Sequence, residues 1–290
     1  MGSALKFPTY NIGTWGANWV DDNGTEWYVE SSDIRDGLAP KTHVSERPTG
    51  PGAWRARSYL SSKPFTVAGY GRAPDWARRE IARDTLHGLF TDGGQQVLLY
   101  NSGIWTRAMR VELNGPPRFG VKRNRTGFSW QLPLLIAEGA MFDPNTQTTP
   151  PASVASLSTD GLDWGSGGLD WSTGGLDWGV SGAQSNVTVF NSGNLPVWPV
   201  FAIVGPVLQP SLTDPSSGRQ LMYSGQVAAG QTLTIDTSPQ SRSVKLDGVD
   251  RFGFMVSAQW MSVPPSSSLT WQFGGSGTGT ATASWQNAYV

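Results

Sequence analysis

The sequence predicts a mainly β protein made of two sandwich domains, and three observations support this fold class. Glycine and proline are frequent, at 36 and 20 of 290 residues, which is typical of a chain with many turns. Only one segment has the apolar periodicity of an amphipathic helix. The last hundred residues hold short β-like runs separated by turn residues. We therefore expect an N-terminal β-sandwich with one surface helix, followed by a C-terminal jelly-roll or galectin-like β-sandwich.

The first domain is expected over residues 1–143. Asp21-Asp-Asn-Gly24 separates two runs that contain tryptophan and predicts a hairpin. Residues 40–57 are rich in Pro, Gly and Arg without periodicity, which indicates a long exposed loop or arm. Two later runs, Arg118–Arg123 and Gly127–Ile136, predict the strand pair that completes the domain.

A single helix is expected over residues 75–90. Five apolar residues form a stripe along this segment, namely Ile81, Ala82, Leu86, Leu89 and Phe90. Three arginines fall on the other side, namely Arg78, Arg79 and Arg83. Asp92-Gly-Gly94 ends the helix. The pattern places one helix on the surface of the first domain, with its arginines facing outward.

Residues 144–184 are expected to form a linker, because the composition changes there to Pro, Thr, Ser and Gly. Gly-Leu-Asp-Trp occurs three times at a period of seven, and its glycines oppose a coiled coil. We expect three turns, anchored by Trp164, Trp171 and Trp178. Three interpretations stay open: a spacer packed on a neighbouring domain, a contact strip for another subunit or partner, or a calcium or glycan site using the three aspartates.

The second domain is expected over residues 185–290 as an all-β unit. Eight short runs separated by Gly, Pro or Asp turns predict its strands. These runs are Val187–Phe190, Val200–Val204, Leu221–Val227, Thr232–Ile235, Ser243–Leu246, Met255–Trp260, Leu269–Phe273 and Thr280–Trp285.

The inventory of reactive side chains predicts a protein that is not an enzyme. The chain has no cysteine, which excludes disulfides, thiolate metal sites and cysteine nucleophiles. Its only histidines are His43 and His87, and no catalytic or nucleotide-binding motif is present. We expect no cofactor and no metal. Paired carboxylates for glycoside hydrolysis stay open, although most C-terminal acids lie in turn contexts.

Charge and hydropathy predict a soluble chain without a membrane partner. The net charge is -1, and neither half is strongly basic, so a specific nucleic-acid interface is not expected. No run of 18 apolar residues occurs, and the N-terminus lacks the apolar segment of a signal peptide.

The C-terminal region carries an ordered set of motifs. It begins with Asn191-Ser-Gly-Asn-Leu-Pro-Val-Trp-Pro199 and continues with Gly205-Pro206. Gly230-Gln-Thr-Leu-Thr-Ile-Asp236 follows, and Trp285-Gln-Asn-Ala-Tyr289 ends the set. In this order the motifs resemble the C-terminal domain of siphophage distal tail proteins. The first domain is similar to that family in layout only, and the Gly-Leu-Asp-Trp repeats are not part of the family pattern.

The resemblance implies a structural protein of the virion, located at the phage tail tip after assembly in the host cytoplasm. Members of this family form a ring, expected here to be a homohexamer, that joins the tail tube protein to the tail-tip or hub protein. The tape measure protein is a further implied partner. DNA passes through the ring without specific binding. Candidate interface residues are Arg55, Arg57, Arg78, Arg79, Arg83, Trp164, Trp171 and Trp178.

The alternative is a carbohydrate-binding protein that contacts the host envelope. Sugar rings stack on exposed aromatic faces, and Trp260 and Trp271 are the candidate stacking residues for a saccharide. Core packing is the simpler explanation for these side chains, because aromatic residues dominate the burial of apolar area in cores. A wall-degrading glycosidase is a third interpretation, for which the sequence nominates no pair of acids.

Overall fold

The computed structural model describes residues 3–36, 40–42, 44–55, 59–122, 125–154 and 185–290. The described chain is mainly strand with one α-helix, which confirms the predicted fold class. It divides into two compact units. Unit 1 comprises residues 1–144 and 288–290, and unit 2 comprises residues 145–287.

Unit 1 is built on one large antiparallel sheet. Its elements in chain order are β1 (Ser3–Ala4), β2 (Thr9–Ile12), β3 (Trp15–Ala17), β4 (Trp19–Val20), β5 (Glu26–Ser32), β6 (Pro40–Lys41), β7 (Val44–Glu46), β8 (Ala53–Arg55), β9 (Tyr59–Leu60), β10 (Lys63–Arg72), α1 (Trp76–Gly88), β11 (Gln96–Asn101), β12 (Thr106–Leu113), β13 (Arg118–Val121), β14 (Gly127–Ile136) and β15 (Met141–Phe142). The main order is β1-β4-β5-β10-β14-β12-β11-β2-β3, and β13 pairs with β14 as predicted.

Unit 2 is a sandwich of two antiparallel sheets. Its strands are β16 (Gln147–Thr148), β17 (Ala152–Ser153), β18 (Asn186–Asn191), β19 (Val200–Val204), β20 (Val207–Thr213), β21 (Gln220–Tyr223), β22 (Gln226–Val227), β23 (Thr232–Asp236), β24 (Ser243–Leu246), β25 (Val249–Asp250), β26 (Met255–Ala258), β27 (Ser267–Gly277) and β28 (Thr280–Trp285), with a 3-10 turn at Phe252–Phe254. One sheet has the order β16-β28-β19-β23-β24-β25, with β17 beside β28. The other has the order β18-β27-β20-β21-β26, with β22 beside β20.

The core of unit 1 centres on a group of edge-to-face aromatic rings. Trp27 is fully buried and meets Trp15, Phe128 and Trp130 at centroid distances of 5.7, 5.0 and 5.9 Å. Trp15 and Trp130 also meet each other at 5.4 Å. Edge-to-face pairs are favourable because the positive edge of one ring faces the negative face of the next. These rings come from β3, β5 and β14, so they hold distant parts of the sheet together.

Helix α1 ends at Gly88, two residues before the end that the sequence predicted. Asp75 caps its N-terminus, with Oδ1 accepting from the backbone N–H of Arg78 at 2.8 Å. Ala82 and Leu86 are buried, whereas Ile81 is 47% exposed, so its predicted place in the apolar stripe is wrong. Ala82 and Leu86 are four residues apart and share a face, and the adjacent Ile81 is rotated about 100° away from it.

The arm predicted over residues 40–57 is a β-hairpin. β6 pairs with β9, and β7 pairs with β8, in two short antiparallel ladders. The turn at its tip is closed by the N–H of Arg47, which donates to the carbonyl of Gly52 at 3.2 Å. We call residues 40–60 the arm.

Two predictions about unit 2 need correction. Residues 145–154 were expected in the linker, but β16 and β17 pair with β28, and Thr149 accepts from the backbone N–H of Ala283 at 3.0 Å. β20 was not predicted, because Pro206 and Pro210 interrupt its pattern. The register shifts between Leu208 and Ser211, and this bulge accommodates Pro210 within an internal strand.

The last residues of the chain complete unit 1. β29 (Ala288–Tyr289) pairs with β15, and the guanidinium of Arg107 lies 3.4 Å from the centroid of the Tyr289 ring. Arg107 also forms an ion pair with Asp143 at 2.7 Å. The strand is therefore held by an antiparallel ladder and by a cation–π contact.

Trp27→Ala is expected to lower the free energy of unfolding by about 3–5 kcal/mol, because it removes the shared member of the aromatic group and leaves a cavity. Urea denaturation measures this loss. The matched control is Trp76→Ala, since Trp76 is 62% exposed, and a change within about 0.5 kcal/mol is expected there. Equal losses for the two variants would contradict the central role of Trp27.

Tyr289→Ala is expected to destabilise unit 1 by about 1–2 kcal/mol, because Arg107 loses the ring on which it lies. Tyr289→Phe keeps the ring and is expected to cost about 0.5 kcal/mol or less, since the hydroxyl lies 3.5 Å from Asp143, at the limit of a hydrogen bond. Hydrogen exchange of β11 and β12 localises the effect. If the Phe variant lost as much as the Ala variant, the hydroxyl and not the ring would hold β29.

Candidate assembly surfaces

The arm exposes large apolar side chains on both of its faces. Val44 and Trp54 are 55% and 60% exposed. Val44 lies opposite Arg55 in the register and Trp54 lies opposite Ser45, so the two apolar side chains point to opposite faces. An isolated two-stranded hairpin is marginally stable in water. The composition of the arm is thus typical of a segment that packs on another surface.

A buried lysine joins the two ends of the arm. Lys63 is 8% exposed, and its ammonium donates to the carbonyls of Ile34, at 2.7 Å, and of Asp36. Burial lowers the pKa of Lys63, and the nearby charges of Asp36 and Asp33 oppose this shift. Since Asp36 precedes the arm and Lys63 follows it, these bonds fix the base of the arm.

A cavity of about 560 Å³ lies beside this base. Its lining includes Arg35, Lys63, Trp105 and the C-terminal Val290. Both cations already have hydrogen-bond acceptors, because Lys63 is bonded to carbonyls and Arg35 donates to the hydroxyl of Tyr100 at 2.6 Å.

The structure places the predicted interface arginines in two different settings. Arg55 lies in β8 of the arm, whereas Arg57 lies outside the described residues. The three arginines of α1, Arg78, Arg79 and Arg83, form ion pairs or hydrogen bonds with other residues of unit 1. Arg78 pairs with Asp75 and donates to the carbonyl of Asn23. Arg79 pairs with Glu80 and donates to the carbonyl of Arg125. Arg83 pairs with Glu80 and Asp84.

Glu80 explains why the helix arginines do not form a strongly basic face. A hydrogen bond from Arg79, together with the charges of Arg83 and Arg79, lowers the pKa of the Glu80 carboxyl. Together with Asp75 and Asp84, Glu80 offsets the charges of the three helix arginines, and Arg79 ties the helix to the loop before β14. The sequence predicted that the helix arginines face outward, but it could not reveal their partners within unit 1.

The two tryptophans predicted to stack on sugar rings are not equivalent. Trp271 is 1% exposed and meets Phe201 edge-to-face at 5.0 Å, so the prediction that Trp271 binds a glycan is wrong. It is a core residue between the sheets. Trp260 is partly exposed, but Phe252 stacks on it at 6.0 Å and the guanidinium of Arg242 lies 5.4 Å from its ring.

The motifs that carry the family resemblance organise the turns of unit 2. Asn191 is fully buried, and its amide donates to the carbonyls of Leu195, Val263 and Pro264 at 2.8, 3.3 and 3.1 Å. Its Oδ1 accepts from the N–H of Gly193 at 2.9 Å. One side chain thus satisfies four buried or half-buried backbone groups from two separate loops.

The motif at residues 285–289 binds the same region of unit 2. The indole N–H of Trp285 donates to the carbonyl of Phe190 at 3.0 Å, and Asn287 accepts from the N–H of Ser192 at 3.1 Å. These bonds connect the last residues of unit 2 to the loop that begins at Asn191. The motif residues therefore have structural roles, and none of these contacts forms a reactive constellation.

The remaining sequence candidates carry no chemistry in the described part of the chain. His87 is exposed on α1, and His43 lies outside the described residues, as do Trp164, Trp171 and Trp178. Within the described ranges, no three His, Cys, Asp or Glu side chains are grouped so that they could hold a metal ion. No described helix has the length and apolar character needed to cross a membrane.

The described features are a large antiparallel sheet, a β-sandwich, an exposed apolar arm and motifs that hold loops together. Residues 192–289 match the family of the siphovirus-type tail component, C-terminal domain. This match confirms the predicted resemblance to siphophage distal tail proteins and the predicted location in the virion tail. The match covers about a third of the chain, within its C-terminal half.

The fold of the whole chain is similar to solved structures of phage tail proteins. The Dit protein of phage SPP1, described as a paradigm of the hub adsorption apparatus in phages that infect Gram-positive hosts, aligns with a TM-score of 0.62 and 11% identity. The alignment covers 98% of this chain and 100% of that one. A chain of the phage P2 baseplate in its activated conformation with Ca aligns with a TM-score of 0.50 and 10% identity, over 97% and 98% of the two chains. At this identity the likeness establishes the fold. A comparison with curated protein sequences finds no match.

Asn191→Ala is expected to destabilise unit 2 by about 1–3 kcal/mol, because it leaves buried backbone groups without partners. Thermal unfolding and hydrogen exchange of residues 192–197 measure the effect. Asn186→Ala is the matched control, since Asn186 is exposed at the start of β18. A neutral result for Asn191→Ala would mean that water replaces the amide without cost.

Proposed function

We propose that the chain forms a closed ring, with six copies, at the distal end of a long non-contractile phage tail. The ring would join the tail tube protein to the tail-tip or hub protein, with the tape measure protein as a further neighbour. DNA would pass through without specific contacts. The observation that carries this proposal is the arm, which presents Trp54 and Val44 on opposite faces of a hairpin fixed at its base by Lys63.

The chemistry of the arm favours contact with a second copy. Tryptophan and arginine are enriched at the energetic centres of protein interfaces, and the arm contains Trp54 beside Arg55. A contact in which the arm of one copy occupies a different surface of the next is heterologous, and such contacts generate rings when the rotation closes. The fixed base favours one direction of the arm, which ring closure requires.

The comparisons support the place of the ring in the particle. The matched family is a tail component, and the similar SPP1 protein is described as part of a hub adsorption apparatus. The similar P2 chain comes from a baseplate. A position at the tail tip, with the tube on one side and a tip protein on the other, agrees with these relatives. Among the predicted interface residues, Arg55 and Arg57 remain the candidates within the arm.

The saccharide-binding alternative receives no support from the described aromatic residues. Trp271 is buried, and the ring of Trp260 is already contacted by Phe252 and Arg242. A sugar would have to displace one of these groups in order to stack on the indole. The assembly function is therefore the one proposed.

Mass photometry and negative-stain electron microscopy of the purified full chain test the ring. We expect the wild type to form six-membered rings with a central hole as concentration rises. Trp54→Ala is expected to weaken association at least tenfold, a typical loss for a buried interface tryptophan, which costs about 1.4 kcal/mol or more.

Trp76→Ala is the matched control for Trp54→Ala, because both side chains are about 60% exposed and Trp76 lies on α1 instead of the arm. The control is expected to form rings like the wild type. Wild-type chains that stay monomeric at the highest soluble concentration would argue against self-assembly. Rings that form normally from Trp54→Ala would argue against the arm as their contact.

A further inference from the structure

Unit 1 contains two Asn-Gly sequences, Asn23-Gly24 and Asn114-Gly115. Asparagine is one of the thermolabile residues, because the backbone nitrogen of the next residue can attack its side-chain amide. Glycine favours this attack, since it has no side chain to shield the nitrogen and adopts the required backbone angles easily. The two pairs have the same residues, so any difference in their reactivity depends on how the fold holds them.

The first pair is held in a closed hairpin turn. The N–H of Gly24 donates to the carbonyl of Asp21 at 3.0 Å. The carboxylate of Asp21 accepts from the N–H groups of Asn23 and Thr25, both at 2.9 Å. The carbonyl of Asn23 accepts from the guanidinium of Arg78. A base must remove the proton of the Gly24 N–H before the nitrogen attacks, and the Asp21 carbonyl holds that proton. This turn must open before the first pair reacts.

The second pair lies in the connection between β12 and β13 and is held more loosely. Asn114 is exposed, and its backbone N–H donates to the carbonyl of Pro133 at 3.1 Å. Within the described part of the chain, neither the N–H of Gly115 nor the side-chain amide of Asn114 forms a hydrogen bond. A Cβ on Gly115 would meet Cγ of Pro133 at 3.6 Å, an ordinary contact. The nitrogen and the amide that must react are therefore both available.

We propose that Asn114 is a site of spontaneous deamidation in the folded protein. Hydroxide removes the proton of the Gly115 N–H, and the nitrogen forms a bond to the side-chain carbonyl carbon of Asn114. The bond from that carbon to the side-chain nitrogen breaks, and ammonia leaves. Water then opens the cyclic imide at either carbonyl, which yields aspartate or isoaspartate. The steps require only water and hydroxide, and the proposal does not rest on ring formation.

The modification changes both charge and backbone length at one connection of unit 1. Either product places a carboxylate at position 114, and isoaspartate also adds one atom to the main chain. The connection is short, residues 114–117, and leads directly into β13. The first residue of β13 is Arg118, which is exposed and lies opposite Gln131 of β14. The new negative charge thus enters the sequence four positions before an exposed guanidinium.

Peptide mapping by mass spectrometry tests the site. The full chain is incubated at mildly alkaline pH in water enriched in heavy oxygen, which enters the peptide only when the imide is hydrolysed. The label therefore separates new deamidation from any that preceded the incubation. We expect Asn114 to convert at least fivefold faster than Asn23, because the hydrogen bonds of the first turn must open before Gly24 can react. The rate at Asn114 is expected to rise with pH, since hydroxide removes the proton.

Two controls separate the effect of the fold from that of the local sequence. In concentrated urea the turn is open, so the two pairs are expected to react at similar rates. In the folded protein, Asp21→Ala removes the acceptor of two N–H groups of the first turn. This variant is expected to speed conversion of Asn23 and to leave Asn114 unchanged. A melting curve verifies that the variant is folded.

Three results would overturn the proposal. Equal rates for Asn23 and Asn114 in the folded chain would mean that the hydrogen bonds of the first turn give no protection. A difference that persists unchanged in urea would assign it to the neighbouring sequence instead of the fold. An absence of heavy oxygen at position 114, after an incubation in which the urea sample is fully converted, would show that the folded connection blocks the attack.

Discussion

The edge-to-face packing of Trp15, Trp27 and Trp130 is the constraint on which unit 1 depends. Trp27 and Trp130 lie on β5 and β14, on either side of β10, whereas Trp15 lies on β3 at the end of the sheet order, so the sheet must curve for Trp15 to meet them. Close packing also leaves no space for a side chain at two positions of β10. A Cβ on Gly71 would lie 2.1 Å from the Phe128 ring, and one on Gly69 would lie 1.8 Å from the carbonyl oxygen of Tyr28. Glycine is therefore required where β10 crosses this group, and the same strand begins at Lys63, which fixes the arm.

In unit 2, side-chain hydrogen bonds between distant loops stabilise the fold. Its family motifs are spread over the chain, and each satisfies backbone groups of a loop far away in sequence. Asn191 joins the loop at residues 192–195 to the one at residues 263–264, and Asn287 adds a bond from the end of the unit. Buried backbone groups must find partners, because water is excluded from them. This requirement explains why the motif has asparagines at these positions, and the explanation involves no ligand.

The proposed contact of the arm follows from apolar side chains that unit 1 leaves exposed. The arm of unit 1 is too small to be stable by itself, and its apolar side chains face outward on both sides. In unit 2 the guanidiniums of Arg242 and Arg251 lie over the rings of Trp260 and Phe254, each 5.4 Å from the ring centroid.

The sequence by itself determined the fold class, the helix, the arm, most strands of unit 2 and the family resemblance, because these depend on local periodicity, on turn residues and on motif order. Only the tertiary structure decided which tryptophans are buried, as the contrast between Trp271 and the more exposed Trp260 makes clear. It also decided that residues 145–154 join a sheet, that β20 continues through Pro210 at a bulge, and that Asp75, Glu80 and Asp84 pair with the helix arginines. Burial, strand pairing and ion pairs each depend on residues distant in sequence, and a pattern read along the chain does not contain those distances.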